Sequence, residues 1–168
     1  IVRGPGSSLY GSNAFFAVVN VITRQGSDLK GAEVSGEAGS FYSYKPRMTY
    51  GNRFSNGLEM LLSTSYYASQ GDDRLYFKEY DHPETNQGIA EDLDSDQFES
   101  FFSTFRYRDF TVQGVYHTRE KDVPTAAWEA VFNEELSSTD DTAWLDLKYD
   151  HIFENQVSVL ARVSYNYY

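Results

Sequence analysis

The chain predicts an all-β fold, an antiparallel meander of about seven strands between Gly31 and Tyr168. Three observations carry that expectation. From Gly31 onward apolar and polar residues alternate with period two. Aromatic residues make up 17% of the 168 positions, yet the mean hydropathy is −0.54 and the net charge −11. Strands with one apolar and one wet face produce that combination. Connections between the strands also come in two kinds, tight and long.

Residues 1–13 are dense in turn formers, and 14–23 is apolar and β-branched enough for a buried strand. Residues 25–30 read as a linker. The first strand after it sets Ala32, Val34, Ala38 and Tyr42 on one face, with Glu33, Ser35 and Glu37 on the other. In the second, Met48, Tyr50 and Phe54 oppose Arg47, Thr49 and Arg53. The apolar row continues through Leu58, Met60, Leu62, Thr64 and Tyr66, then Phe101, Phe105 and Tyr107, then Phe110, Val112 and Tyr116. Ala143, Leu145, Leu147 and Tyr149 form the sixth row, and Val157, Val159, Ala161, Val163, Tyr165 and Tyr167 the seventh.

Residues that flank a tight hairpin pair with each other and face the same side. Tyr107 and Phe110 bracket Arg108-Asp109, and Phe54 and Leu58 bracket Ser55-Asn56-Gly57, so both hairpins are consistent with the rows. The second register sets Arg53 opposite Glu59, an expected ion pair on the polar face, with Glu33 and Glu37 as diagonal neighbours of that arginine. Connections are tight at 55–57 and 108–109, fairly short at 150–156 and near 43–45, and long at 70–96 and 122–141. Outer-membrane barrels share this asymmetry, with short turns on the periplasmic side and long loops outside.

Several function classes are disfavoured. No segment approaches the roughly 18–20 consecutive apolar residues of a membrane-spanning helix. Cysteine is absent, which removes disulfides and thiolate metal sites. The two long connections hold 15 of the 25 acidic residues but only Arg74 and Lys78 among the 14 basic ones, which argues against nucleic-acid binding. His82, His117 and His151 are scattered, and no Gly-x-Ser-x-Gly, His-Glu-x-x-His or phosphate-cradling glycine loop is present, so no enzyme is expected. Ile1 starts inside a motif, and a longer parent protein is expected on both sides.

That motif is Arg3-Gly4-Pro5-Gly6-Ser7-Ser8-Leu9-Tyr10-Gly11-Ser12-Asn13-Ala14, followed by Val18-Val19-Asn20-Val21-Ile22-Thr23-Arg24. It resembles the closing signature of the plug domain in TonB-dependent outer-membrane receptors, with Phe16-Ala17 where the family usually has glycine. Leu75 to Asp81, Arg108-Asp109-Phe110-Thr111 and Val123-Pro124-Thr125-Ala126 resemble the early barrel of one receptor subgroup. The resemblance implies a division into the end of a plug at 1–24, the linker at 25–30 and the start of a barrel wall at 31–168. It implies a bacterial outer-membrane location within a transmembrane barrel of about 22 strands. The partners implied are membrane lipid and a TonB complex engaged through a segment outside this chain. The cargo implied is a scarce nutrient, an iron chelate first and cobalamin second. Glycines 4, 6 and 11 with Pro5 permit sharp turns, and Arg3 resembles the plug arginine held against acidic wall residues, its alternative being a solvent-exposed turn residue.

Ligand contacts in such a receptor come from the outer loops, so Tyr76, Phe77, Tyr80, His82, Trp128 and Phe132 are the candidates. The alternative for each is packing within its own loop. A short helix over 124–133 would gather Trp128, Val131 and Phe132 on one side. Asp92, Asp94 and Asp96 alternate as in a calcium loop, but the sixth-position Gly and twelfth-position Glu are missing. A solvated acidic loop is the alternative, although similar receptors order outer loops with calcium. Two other readings share the alternation: a passive porin or adhesin barrel, and a soluble β-sandwich binding module.

Overall fold

The computed structural model describes residues 2–3, 17–18 and 22–168. Two short strands, β1 (Val2–Arg3) and β2 (Ala17–Val18), pair antiparallel with Val2 opposite Val18. The plug-motif positions Gly4, Pro5, Gly6, Tyr10, Gly11 and Asn20 lie outside the described residues. Part of the strand expected over 14–23 is corrected, because Ile22 and Thr23 are not in a strand and Ile22 is exposed.

A helical turn, α1 (Gly26–Leu29), occupies the stretch read as a linker. After it come β3 (Gly31–Ala38), β4 (Tyr44–Arg53) and β5 (Glu59–Ser69). A small hairpin, β6 (Arg74–Tyr76) with β7 (Ile89–Glu91), interrupts the sheet. The sheet resumes with β8 (Asp96–Tyr107), β9 (Phe110–Asp122), β10 (Ser137–Ile152) and β11 (Ser158–Tyr167). Omitting the hairpin, every strand pairs antiparallel with its chain neighbour, so the seven-stranded meander expected from the alternation is the observed sheet.

Register gives the two faces. One row crosses all seven strands as Val34, Met48, Thr64, Phe101, Tyr116, Ala143 and Tyr167, and the next as Ala32, Tyr50, Leu62, Ser103, Gly114, Leu145 and Tyr165. Both hairpins keep their expected register: Tyr107 stands opposite Phe110, and the Phe54 N–H donates to the Leu58 carbonyl at 2.8 Å. Gly57 has φ 88°, the left-handed conformation its turn requires.

Three boundaries differ from the expectation. The first turn of the sheet spans 39–43 rather than 43–45, closed by the Gly39 N–H on the Ser43 carbonyl at 3.0 Å. Tyr42 therefore leaves the strand face and sits in the turn at φ 52°. β10 begins at Ser137, inside the stretch read as loop, because Ser137 to Asp141 is polar on both faces and carries no alternation to detect. Over 124–133 there is only a 3-10 turn at Ala127–Glu129, with Trp128 and Glu129 at positive φ, instead of a helix.

Among the described residues the buried apolar side chains are Leu61, Ala90, Leu93 and Phe132, and only Leu61 belongs to the sheet. Thr49, Glu59, Thr104 and Asp146, the buried polar residues, all lie on the polar face. Val34, Met48, Phe101, Tyr116, Leu145, Val163 and Tyr165 of the apolar face are exposed. A soluble sandwich would turn these side chains into a shared dry core, each stabilising by about 1.5–3 kcal/mol on burial. Among the described residues nothing covers them.

Candidate functional site

The polar face of the sheet is the side from which the N-terminal segment arrives, since α1 rests against Gly51, Glu59 and Leu61. The Ser27 N–H and hydroxyl both donate to the Glu59 carboxylate, at 3.2 and 3.1 Å. Arg24 and Arg47 each bond Glu33, at 3.1 and 3.0 Å. Thr23, Arg24, Glu33, Arg47, Thr49, Leu61, Ser63 and Phe102 enclose a cavity of about 260 Å³ between segment and wall.

These contacts correct the expected ion pair. Arg53 does stand opposite Glu59 in the register, but among the described residues the two form no salt bridge. The linker supplies Ser27 to Glu59 instead, a partner that the pairing of β4 with β5 could not reveal. Glu33 likewise takes Arg24 and Arg47 rather than Arg53. Arg3 sits in β1, opposite Ala17.

At the far end of the sheet the two long connections fold onto one another. Ala90, Leu93 and Phe132 form a small core, with Leu75, Phe77, Tyr80 and Ala126 packed around it. The Phe132 ring stacks on Tyr80 at 4.3 Å and meets Phe77 edge-on at 6.0 Å. The Glu91 N–H donates to the Asn133 side-chain carbonyl across the two loops at 3.0 Å. This sorts the six candidates. Phe132 belongs to the core of this loop platform, and Phe77 and Tyr80 pack against it. His82 caps a turn through its backbone, its carbonyl accepting the Thr85 N–H at 3.1 Å, and is exposed. Tyr76 and Trp128 are exposed, Trp128 at 75%, and remain available to a ligand. The Tyr76 hydroxyl donates to Asp81 at 2.9 Å; that bond, with the acidic neighbours, raises its pKa above the ordinary tyrosine value. The side of a helix expected for Trp128, Val131 and Phe132 does not exist, since Val131 and Trp128 face solvent while Phe132 points inward.

Two of the three alternating aspartates, Asp94 and Asp96, are drawn to cations on β9 rather than to one another. Asp96 receives a bidentate Arg119 at 2.9 and 2.7 Å, and Asp94 receives Lys121 at 2.6 Å and the Asp72 N–H at 3.1 Å. Partial burial pushes the Asp94 carboxyl upward, but Lys121 and the Asp72 amide outweigh it, and the net shift is downward. Among the described residues no three metal-ligating side chains gather at Asp92, Asp94 and Asp96 or elsewhere.

One group was missed in the sequence. Tyr67 stacks on Phe98 at 5.1 Å, Phe98 lies 5.6 Å from His117, and Phe102 pairs across Val115 toward Trp144, all on the polar face. The signal was present in adjacent rings, Tyr66-Tyr67 and Phe101-Phe102, because period two sends one of each pair to either face.

No protein family model matches the chain, and no solved structure does. Over 99% of its length the chain is similar, at 25% identity, to the vitamin B12 transporter BtuB of Vibrio vulnificus strain CMCP6. It spans 23% of that protein's length.

Proposed function

We propose that this chain, recognised as a segment of a TonB-dependent receptor, forms the end of a plug and the first seven strands of a barrel wall in the bacterial outer membrane. The intact protein is a non-catalytic transporter that takes up a scarce nutrient with energy relayed by a TonB complex through a segment outside this chain. A single observation carries the reading: among the described residues the apolar rows of the sheet lack any covering layer, while residues 24–30 dock on the opposite, polar face. A wall with lipid outside and a plugged, wet lumen inside satisfies both.

Ligand contact belongs to the loop platform, with Tyr76 and Trp128 as its exposed rings, and to the ring strip of Tyr67, Phe98, Phe102 and Trp144 on the lumen wall below. An iron chelate is the first choice of cargo. A corrinoid is the second, supported by the name of the similar transporter. The acidity of both long connections favours a cargo of little negative charge, since a polyanionic chelate would be repelled on approach.

The test is uptake in cells lacking the parent gene, with and without the full-length gene restored. Accumulation of a hydroxamate-bound iron or of cyanocobalamin that requires both the restored gene and TonB is expected. Equal uptake with and without the gene for every iron chelate and corrinoid tried, or a product found only in the periplasm, would sink the reading.

A further inference from the structure

We infer that residues 24–30 are a fixed clasp that pins the N-terminal segment to the wall, not a tether free to swing. The inference rests on the receptor reading for its meaning and on independent contacts for its geometry. Contact begins at the backbone. A Cβ placed on Gly26 would lie 2.0 Å from the Met60 carbonyl oxygen and 2.9 Å from that of Asn52, so α1 approaches β4 and β5 as closely as only glycine allows. The wall meets it with a glycine of its own. A Cβ on Gly51 would come within 3.0 Å of the Gly26 carbonyl, the Leu29 Cβ and the Leu61 Cδ1, and Leu61 is the buried apolar residue of the sheet.

Polar contacts reinforce this approach. Glu59 is only 9% exposed, and its carboxylate accepts both the N–H and the hydroxyl of Ser27. Lifting α1 away would leave that carboxylate without either donor, and a charge stripped of partners in a part-buried site is costly. Arg24 adds its bond to Glu33 just before the turn. The turn is also closed on itself. Asp28 accepts the Gln25 N–H at 2.8 Å, and Lys30, at φ 54°, returns its N–H to the Gly26 carbonyl at 3.3 Å. Freely swinging linkers leave such groups to water. Whatever moves in the plug therefore moves N-terminal to this clasp.

The experiment is amide hydrogen exchange on the full-length receptor purified from outer membranes. The Ser27 and Lys30 amides are expected to exchange at least about 100-fold more slowly than those of Ser55 and Asn56 in the 55–57 turn, because clasp opening must precede exchange. Gly26→Val abolishes that protection while leaving β8 and β9 protected. Gly36→Val, at a position with nothing within 4 Å of its added Cβ, leaves the clasp unchanged. Should Gly26→Val fail to insert, Glu59→Ala decides, because it removes the acceptor of both Ser27 donors without adding bulk beneath the turn. The Ser27 amide is then expected to exchange at least about tenfold faster, with β8 and β9 still protected. Exchange at Ser27 and Lys30 as fast as at Ser55 and Asn56, or Ser27 exchange unchanged by Glu59→Ala, would overturn the clasp. A protein that keeps slow exchange at Ser27 but fractionates away from the membrane defeats the receptor reading alone.

Discussion

In the wall, Val34, Met48, Phe101 and Tyr116 lie side by side across four neighbouring or near-neighbouring strands and stay exposed. In the loop platform, an equally short list of apolar residues, Ala90, Leu93 and Phe132 with their surrounding rings, closes on itself. Both regions come from the same acidic, tyrosine-rich chain. The difference is where the covering material comes from: the platform supplies its own, and the wall, on the proposed receptor reading, takes it from hydrocarbon. The platform is therefore expected to hold its shape in water, whereas the wall depends on lipid or detergent. Between its two edge strands, β3 and β11, the backbone of the wall is satisfied by its ladders, as a membrane requires.

Removing the Phe132 ring tests the platform most severely. Phe132→Ala is expected to cost about 3–5 kcal/mol locally, in the range of buried Phe to Ala changes. Limited proteolysis of the full-length receptor then cuts within 70–95 and 123–136 while the strands stay intact. A platform as resistant as the parent would mean that its core does not hold the loops together.

A charge on the lipid side tests the wall. Phe101→Arg is expected to destabilise folding into lipid vesicles by about 2–4 kcal/mol, the cost found for arginine near the bilayer midplane. Its neighbour on the other face, Phe102→Arg, is expected to cost less because it meets the lumen. Denaturant titration in vesicles measures both, and an inverted order would reverse the assignment of the faces.

The smallest effect concerns Asp94, at the junction of platform and wall. Its folded pKa is depressed, so its contact with Lys121 stabilises above the ordinary aspartate range and is lost as pH falls through the lowered value. Proteolysis at 92–96 is expected to rise only in that acidic window, and Asp94→Asn flattens the dependence. An unchanged acid profile in Asp94→Asn would remove Asp94 as its source.

The platform and the clasp mark how far the sequence could be read. Seven strands, both tight hairpins and the opposition of Arg53 to Glu59 were legible because period two is a local property and a hairpin turn sets the register of its own strands. The partner of Glu59 was not. Ser27 lies 32 residues away, and the choice between Arg53 and Ser27 depends on where α1 settles. Phe77, Tyr80 and Phe132 had two open roles in the sequence, and only the folding of one loop onto the other brings their rings together.

By itself, then, the sequence determined the architecture of the wall and which residues share each face, because alternation and turn chemistry act between neighbours along the chain. Tertiary structure alone decided that the linker is a docked turn, that Asp94 and Asp96 pair with Lys121 and Arg119, and that three of six candidate rings pack together. Those outcomes depend on contacts between residues far apart in sequence, whose energies are settled only once the chain has brought them within reach.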